Sequence, residues 1–472
     1  MSHRMELSLS NLFNCEKMIK PTQQIGAIPP SKQIYHNTIN LAWPSAVERV
    51  LVSLVGAMDT MMVGILGAEA IAAVGITQQP TFILLAIIFS LNIGVTALVA
   101  RRCGEEDYIT ANRILRQSII LVGILSAFLA CLGFIFAKPI LQWMGAGSDT
   151  LTDATIYFRI IVIGMFFNAL SLNINAAQRG AGNTKIAMYT NITANLVNLI
   201  FNFLLIGGHL GFPSLGVAGA GIATVLGNIV AFSIATYGII HSKTPLKLHL
   251  KDSWKLDFKL LKSIFNISSS AMVEQLCMRI GFLAYTKMIT SLGTVAFATH
   301  QICNNILNMT FSVGDGMSMA ASSLVGRNLG AKRSDLSIIY GKTAQRIGLV
   351  LSFILVLGYI FGRTPLVSAF TDDPQIIALG SLIMLIVAAV SPLQISQVII
   401  SGSLRGAGDT KFVARTSFIS ILVIRPIITY ILCYPLGLGL FGAWIALLLD
   451  QGLRLVLNII RFSEGNWIKI KL

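Results

Sequence analysis

The sequence predicts an all-α, polytopic membrane protein whose twelve transmembrane helices form two parallel-repeat, six-helix bundles. Three observations support this prediction: the composition, a series of long apolar runs, and an internal repeat. Of the 472 residues, 54% are hydrophobic and 12% are charged, and the mean hydropathy is +0.75. A soluble domain of this length needs far more charge on its surface, so the composition indicates a chain embedded in a bilayer.

Apolar runs of about 20 residues or more, the length that crosses a bilayer, recur along the chain. We predict one transmembrane span from each run, with six spans before and six after the polar stretch 241–261. In chain order the predicted spans are 38–64, 70–99, 113–137, 152–177, 184–208, 215–240, 262–290, 295–325, 337–361, 376–402, 411–435 and 440–461.

The two halves of the chain repeat each other at a constant offset. The heptapeptide RGAGNTK at 179–185 returns as RGAGDTK at 405–411, and the same offset places Glu48 on Glu274 without a gap. Halves with an even number of spans insert in the same orientation, so they are parallel repeats, an arrangement typical of transporters. We expect both heptapeptides to be turns, after spans four and ten, with their arginines at the inner membrane surface.

The formal net charge of +15 is distributed unevenly over the loops. Loops after even-numbered spans are basic, whereas loops after odd-numbered spans are short or nearly neutral. The positive-inside rule therefore places both termini in the cytoplasm. The predicted organisation is, in chain order, a cytoplasmic N-terminal tail, an N-lobe, a cytoplasmic linker, a C-lobe and a cytoplasmic C-terminal tail, at 1–37, 38–240, 241–261, 262–461 and 462–472.

The two long polar segments allow simple interpretations. Residues 1–32 are polar, lack a hydrophobic signal core and contain Pro29-Pro30, so we expect a loose tail. The linker 241–261 alternates basic and apolar residues, which fits a segment on the inner membrane surface and fits an ordinary solvated linker equally well. The six cysteines show no paired spacing, and we interpret them as packing residues without disulfides or metal.

Several function classes are not expected. The sequence contains no Walker-type phosphate loop, no H-E-x-x-H or G-x-S-x-G motif and no His/Cys cluster. We therefore expect neither an enzyme nor an ATP-driven pump, and no cofactor. Because the basic residues are segregated by loop, we expect the lipid bilayer, and no nucleic acid, as a partner.

Ionisable residues inside spans are the sharpest functional signal, because each costs about 2.5–3.5 kcal/mol on insertion scales unless it is paired or hydrated. Glu48 and Asp59 are eleven residues apart in span one, roughly three helical turns, so both lie on one face. Glu274 is the repeat partner of Glu48. Two acids facing each other across a cavity suit a cation or proton site. A structural alternative is that each acid is tied to a neighbouring arginine, and the sequence leaves both open.

Charged residues in the last spans have a structural interpretation. Asp450 and Arg454 stand four residues apart, the spacing of an intrahelical ion pair. Arg425 is a plausible counter-charge for an acid in the second half.

Span five carries a stripe of asparagines on one helical face, at 191, 195, 198 and 202. Four amides facing lipid would be costly, so the stripe faces a hydrated cavity or a neighbouring helix. Span eight carries a similar stripe, formed by Gln301, Asn305, Asn308 and Ser312. Methionines such as Met58 suit an adaptable lining for varied apolar ligands.

These residues resemble the multidrug and toxic compound extrusion (MATE) family from about residue 38 to 461. The resemblance rests on Asp59-Thr60 followed by Val63-Gly64 and Leu66-Gly67, on LVGRNLGAK at 324–332 and on LRGAGDT at 404–410. It implies a cation-coupled exporter with two six-helix lobes that opens alternately to either side. Such exporters expel bulky, often cationic, organic compounds in exchange for Na⁺ or H⁺.

The resemblance also implies roles for single residues. Asp59 matches the first-helix aspartate that the DinF-like branch uses for coupling, and Asn198 matches an asparagine of the same site, whereas Asn202 stands where that branch often has a second aspartate. Glu274 matches the span-seven glutamate of the NorM-like branch, whose span-ten aspartate is replaced here by Gln394. The chain therefore combines two incomplete site patterns, which leaves open the coupling ion and the lobe that binds it.

We expect a monomeric antiporter of small organic molecules in the bacterial inner membrane, with H⁺ or Na⁺ as the coupling ion and no metal beyond possible Na⁺ at Asp59. The expected ion-coupling residues are Asp59, Asn198, Asn202, Glu274 and Glu48. The expected substrate cavity contains Asn191, Asn195, Gln301, Asn305, Met58 and Gln394. The alternative is a lipid-linked precursor or oligosaccharide flippase of the same superfamily, which would be expected to carry a strongly cationic central cavity.

Overall fold

The computed structural model describes residues 14–147, 150–242, 244–249 and 251–470. Within these ranges, each of the twelve predicted spans is a helix, which confirms the predicted all-α fold. The N-lobe helices are α1 (Ser31–Gly64), α2 (Ala68–Gly104), α3 (Tyr108–Ile135), α4 (Leu151–Gly180), α5 (Thr184–Gly207) and α6 (Gly216–Ile240). The C-lobe helices are α7 (Phe258–Thr290), α8 (Thr294–Gly330), α9 (Ser334–Phe361), α10 (Pro374–Gly406), α11 (Thr410–Cys433) and α12 (Gly439–Glu464).

Nine of the helices in the described part of the chain are long and apolar enough to cross a membrane by length and composition. The other three long helices, α1, α7 and α8, carry the acids Glu48, Asp59, Glu274 and Asp315, in addition to basic residues. Two short helices, Ala137–Trp143 and Arg363–Ser368, follow α3 and α9. Their first residues, Ala137 and Arg363, are separated by the same number of positions as Glu48 and Glu274, so the repeat extends to these short helices.

The helix ends follow from local sequence. The Asp107 carboxylate accepts a hydrogen bond from the backbone N–H of Thr110 at 3.0 Å and caps α3. Hydrogen bonds from Thr110 lower the pKa of Asp107 below its usual value. Asp257 caps α7 in the same way. In both heptapeptide turns a glycine has positive φ, +84° at Gly182 and +90° at Gly408, a conformation that other residues adopt only at a cost.

Helix α11 is irregular in its middle. An α-helical turn region, Thr410–Ser417, passes into a π-helical segment, Phe418–Ile424, and then into a second α-helical part, Arg425–Cys433. Pro426 explains the break, because proline has no amide hydrogen and its ring clashes with the carbonyl four residues earlier, that of Leu422. Such segments are frequent at functional sites, and here the break precedes Arg425.

The lobes contact each other at the ends of the helices that lead into the basic loops. A Cβ placed on Gly104 of α2 would lie 1.9 Å from the Arg327 carbonyl oxygen, and one on Gly330 of α8 would lie 2.1 Å from that of Arg101. The two backbones therefore touch where the repeats cross. Helices α1 and α8 form a further contact between the lobes, where Ala42 and Ala320 belong to one hydrophobic cluster.

The N-terminal segment differs from the predicted loose tail. Cys15 is fully buried, the backbone N–H of Ile25 donates to the Asp335 carboxylate at 3.2 Å, and the Lys342 ammonium donates to the Met18 carbonyl at 2.7 Å. Residues 14–30 therefore pack against α9, and α1 already begins at Ser31. The prediction was wrong for this stretch because a few apolar side chains are enough to anchor it; residues 1–13 lie outside the described range.

The first part of the linker packs against the N-lobe, which excludes an ordinary solvated linker for this stretch. Leu246 and Leu248 are buried in the N-lobe core. The backbone N–H of Lys247 donates to the Asn112 side chain at 2.9 Å, and Arg116 pairs with Asp252. The first part of the linker is thus bound along α3 rather than free in solvent, and contact of the linker with the inner membrane surface stays a prediction.

Candidate functional site

A cavity of about 730 Å³ lies between the lobes, a volume typical of sites for drug-sized ligands. Helices α1, α2 and α4 contribute to its wall from the N-lobe, and α7, α8, α10, α11 and α12 from the C-lobe. Gln301 and Gln394 line it, as predicted, whereas Asn191, Asn195 and Asn305 are not among its lining residues. The same holds for Met58, the sixth residue expected in the cavity.

The asparagine stripe of α5 faces α1 instead of the cavity. The Asn191 amide donates to the Glu48 carboxylate at 2.6 Å, and the Asn202 amide donates to the Asp59 carboxylate at 2.7 Å. Asn195 lies between them on the same face. Of the two interpretations that the sequence left open, the geometry therefore supports hydrogen bonding between helices.

Polar residues of α8 do line the cavity, but they are not all residues of the predicted stripe. Gln301 and Asn308 line the cavity together with Asn304, whereas Asn305 and Ser312 of the predicted stripe are not among its lining residues. Steps of three or four residues both keep side chains on one helical face; the predicted stripe took the step of four from Gln301 to Asn305, whereas the lining takes the step of three to Asn304.

Asp59 forms a small polar cluster inside the N-lobe. Besides Asn202, Asp59 faces Asn198. In the amide orientation that gives both the nitrogen and the oxygen of Asn198 a partner, the nitrogen donates to both Asp59 oxygens, at 2.9 and 3.2 Å, and the oxygen accepts from the Thr224 hydroxyl at 3.2 Å. Among the described residues, no Lys, Arg or His nitrogen lies within 4.0 Å of this carboxylate. An intramembrane carboxylate held only by neutral amides favours uptake of a cation or a proton.

Glu48 and Glu274 are each paired with a heptapeptide arginine. Arg179 lies 3.4 Å from Glu48, and Arg405 lies 2.5 Å from Glu274. Asn191, which donates to Glu48, is the third member of the N-lobe cluster. Its repeat counterpart Ser417 is the third member of the C-lobe cluster and donates to Glu274 at 3.4 Å. The repeat thus preserves a complete polar triad, and the geometry supports the structural alternative for both glutamates.

The same triads correct the expected position of the arginines. Arg179 is only 8% exposed, although its turn lies at the end of α4. Side chains on a helix point towards its N-terminus, so an arginine near the C-terminal end of α4 points back into the membrane. Pairing with Glu48 then offsets the cost of burying both charges.

A second charged cluster surrounds Asp450 in the C-lobe. Arg454 lies 3.1 Å from the Asp450 carboxylate, which confirms the predicted intrahelical pair. Arg425 donates to the same carboxylate through Nε at 3.1 Å and also through its terminal nitrogen, while Ser420 donates from the π-helical segment. Arg425 is therefore the counter-charge that the sequence indicated, and one acid is shared by two arginines.

One ion pair joins the two lobes directly. Arg49 of α1 lies 3.0 Å from Asp315 of α8. The repeat partners of these residues are Gln275 and Phe89, so the pair has no symmetric copy. Sequence reasoning missed the pairing because neither periodicity nor the repeat brings these two positions together.

Two six-helix lobes around a polar cavity, with buried ionisable residues, define a polytopic membrane transporter. The family model named MatE matches residues 44–204 and 270–431, and the chain belongs to this family. The starts of the two matches are separated by the offset of the repeat. Membership confirms the resemblance drawn from the sequence and identifies a multi-pass membrane protein of a transporter family rather than a family of enzymes.

Individual relatives agree with this assignment. The chain is 29% identical over 433 residues to "Uncharacterized transporter YisQ" from Bacillus subtilis, covering 91% of this chain and 94% of that protein. It is 27% identical over 447 residues to "Probable multidrug resistance protein NorM" from Thermotoga maritima, covering 93% and 94%. A solved structure described as the outward-facing conformation of a multidrug resistance MATE family transporter superimposes with a TM-score of 0.85 at 21% identity, covering 91% and 96%.

Proposed function

We propose that this protein is a secondary active antiporter that exports organic compounds in exchange for H⁺ or Na⁺ by alternating access. The central cavity holds the exported compound, and Asp59 holds the coupling ion. The names of relatives such as the Thermotoga maritima protein support multidrug export. A lipid-linked precursor flippase is not favoured by these relatives. We also propose the bacterial inner membrane as the location, with both termini in the cytoplasm.

The observation that carries the proposal is the difference between Asp59 and four other acids inside the transmembrane helices. Glu48, Glu274, Asp315 and Asp450 each contact an arginine. Within the described part of the chain, Asp59 has neutral amide partners instead. A proton or Na⁺ can therefore neutralise Asp59 without breaking an existing ion pair, which is what reversible ion binding requires.

Helix α1 provides a physical route from the ion to the lobes. Asp59 and Arg49 are ten residues apart on this helix, about 15 Å along its axis. Arg49 forms the inter-lobe pair with Asp315. Ion binding changes the charge at one end of this segment, and a small shift of α1 changes the contact at the other. A bound ion shifts the equilibrium between two arrangements of the lobes only if it binds one arrangement more tightly than the other. In this proposal, Asp59 is the residue whose affinity for the ion differs between the two arrangements.

Dye accumulation in a pump-deficient bacterial host tests the proposal. The dyes include cationic and anionic compounds, and each is measured with and without Na⁺ and at two external pH values. The wild type should lower accumulation of at least one dye in a manner that depends on Na⁺ or pH. Asp59→Asn should remove this dependence while retaining expression, because a neutral amide is cheaper to bury than a carboxylate.

Glu274→Gln serves as the matched variant in the C-lobe. We expect it to keep the ion dependence if it remains folded, since Glu274 is already neutralised by Arg405. Retention of ion-dependent efflux by a well-expressed Asp59→Asn protein would exclude Asp59 as the coupling residue. Loss of the dependence only in Glu274→Gln would place the coupling site in the C-lobe.

A further inference from the structure

The central cavity has an excess of positive charge. Six arginines line it: Arg49, Arg179, Arg279, Arg405, Arg425 and Arg454. The acids that contact these arginines number four, namely Glu48, Glu274, Asp315 and Asp450. Three arginines pair with one acid each, while Arg425 and Arg454 share Asp450. The wall therefore carries two positive charges that no acid of these clusters balances.

Arg279 is one source of this excess. It lies on α7, is half-buried, and contacts α2 of the opposite lobe through the Phe82 ring, with its guanidinium carbon 4.8 Å from the ring centroid. No acidic oxygen of the described chain lies within 4.0 Å of it. An aromatic face offers weaker compensation for a desolvated cation than a carboxylate does, so this guanidinium retains donors for a ligand.

The second source, around Arg425 and Arg454, lies among buried polar groups without partners. Arg454 Nε and the side-chain oxygens of Gln394 and Gln451 make no hydrogen bond within the described part of the chain. His300 is 1% exposed, and neither of its ring nitrogens is bonded, although it lines the cavity. Buried polar groups are normally satisfied, so this wall suits a ligand that both accepts and donates hydrogen bonds.

Aromatic side chains complete the cavity. Phe82, Phe282 and Phe311 line it beside the arginines, and the ring of Tyr285 lies under Arg425 at 5.7 Å. Their faces suit the flat apolar body of an organic compound.

We propose that the cavity binds organic anions: compounds with a carboxylate, sulfonate or phosphate group on an aromatic body. The anionic group is stabilised at Arg279, the positive charge of the Arg425–Arg454 pair adds to this attraction, and the body packs on the phenylalanines. A cationic compound would add charge to a wall that is already positive in a medium of low dielectric constant. This inference rests on the proposed function and specifies its substrate as an organic anion, in place of the often cationic compounds that the family resemblance implied.

Two dyes with the same xanthene body and opposite charge test the proposal: carboxyfluorescein, an anion, and rhodamine 123, a cation. Their binding to the purified full-length protein in phosphatidylcholine nanodiscs is measured by fluorescence anisotropy, without any ion gradient. The wild type should bind carboxyfluorescein at least about tenfold more tightly than rhodamine 123, because one charged hydrogen bond corresponds to a factor of this order.

Variants of Arg279 locate the charge. Arg279→Gln should weaken carboxyfluorescein binding about tenfold, and Arg279→Lys, which keeps the charge, should restore most of the affinity. Arg363→Gln is the control, because Arg363 is an exposed arginine of the short helix after α9 and does not line the cavity. Equal affinity of the wild type and Arg279→Gln would contradict a role for this arginine, and tighter binding of rhodamine 123 would overturn the proposal.

An anionic lipid headgroup is another source of the same charge. If short-chain phosphatidic acid binds and carboxyfluorescein does not, the assignment to soluble organic anions is wrong. The assay is independent of coupling. Preference for rhodamine 123 together with ion-driven transport would overturn only this inference, whereas binding of carboxyfluorescein without ion-dependent efflux would overturn only the proposed antiport.

Discussion

Arg49 in α1 and Asp315 in α8 form an ion pair, with Nε 3.0 Å from the carboxylate, that links the two lobes beside the central cavity. Both side chains retain partial exposure, 35% and 24%, so water reaches the pair when the lobes separate. The pair is also asymmetric, since the repeat places no second copy in the chain. These properties suit a contact that forms in one arrangement of the lobes and breaks in the other.

Breaking this pair should shift the balance between the two arrangements. Arg49→Gln or Asp315→Asn should favour the arrangement in which the two lobes are separated at the helix ends that lead into the basic loops. The free-energy difference between the two arrangements should change by an amount on the order of 1 kcal/mol. The measurement is the distance distribution between spin labels at Ile109 and Ala331, in a background without native cysteines. The charge-reversed double variant, Arg49→Asp with Asp315→Arg, should restore the wild-type distribution. Unchanged distances in both single variants would show that the pair does not hold the lobes.

The triads at Glu48 and Glu274 should act on stability. Arg405→Ala leaves Glu274 buried without its counter-charge, a loss of about 3–5 kcal/mol in the free energy of unfolding. The double variant Glu274→Gln with Arg405→Gln removes both charges and should be milder. Thermal unfolding in detergent measures the difference, and Arg179→Ala is the equivalent test in the N-lobe. A melting temperature of Arg405→Ala equal to that of the wild type would argue against a structural role and return Glu274 to the ion-coupling candidates.

The packing of the N-terminal segment should be visible in the reactivity of Cys15, which is fully buried. Asp335 holds this segment through the Ile25 backbone and orients Arg333, which donates to the Ala27 carbonyl at 2.8 Å. Asp335→Ala should therefore raise the rate of maleimide labelling at Cys15 by about tenfold or more, as expected when local opening becomes about 1.4 kcal/mol easier.

The labelling uses a protein in which Cys15 is the only cysteine. Asp372→Ala, in an exposed loop, is the matched control and should leave the rate unchanged. Fast labelling of Cys15 in the otherwise unaltered protein would mean that the segment does not stay packed.

The orientation in the membrane is a separate prediction that follows from the basic loops. A cysteine at Lys255, in the linker, should react with an impermeant maleimide only in inside-out vesicles. A cysteine at Asp372, in the loop after α9, should react in intact cells. Labelling of the Lys255 position from outside intact cells would reverse the topology.

The fold was predictable because its main determinants can be read directly from the sequence. The length of each apolar run predicts a transmembrane helix, and the constant offset of the repeat predicts that the two halves form similar six-helix bundles. The intrahelical pair of Asp450 and Arg454 was predictable for the same reason, since four residues along a helix fix their distance.

The details of the site were less predictable because they depend on how helices rotate and meet. Whether Asn304 or Asn305 lines the cavity depends on how α8 is rotated about its axis, which its own sequence does not fix. The turn sequence around Arg179 suggested a surface position, while the direction of its side chain along α4 takes it to Glu48. Arg49 and Asp315 come together only when the lobes pack, so no pattern within either half indicates their pairing.

The central claim, that Asp59 couples ion binding to export, is tested most directly by counter-ion flux in proteoliposomes. A gradient of a dye that the wild type exports is imposed without any ion gradient, and the movement of H⁺ or Na⁺ is recorded. The wild type should move one of these ions against the dye, Glu274→Gln should do the same if folded, and Asp59→Asn should move the dye without ion flux or not at all. Dye-driven ion flux at the wild-type level in a folded Asp59→Asn protein would contradict the claim.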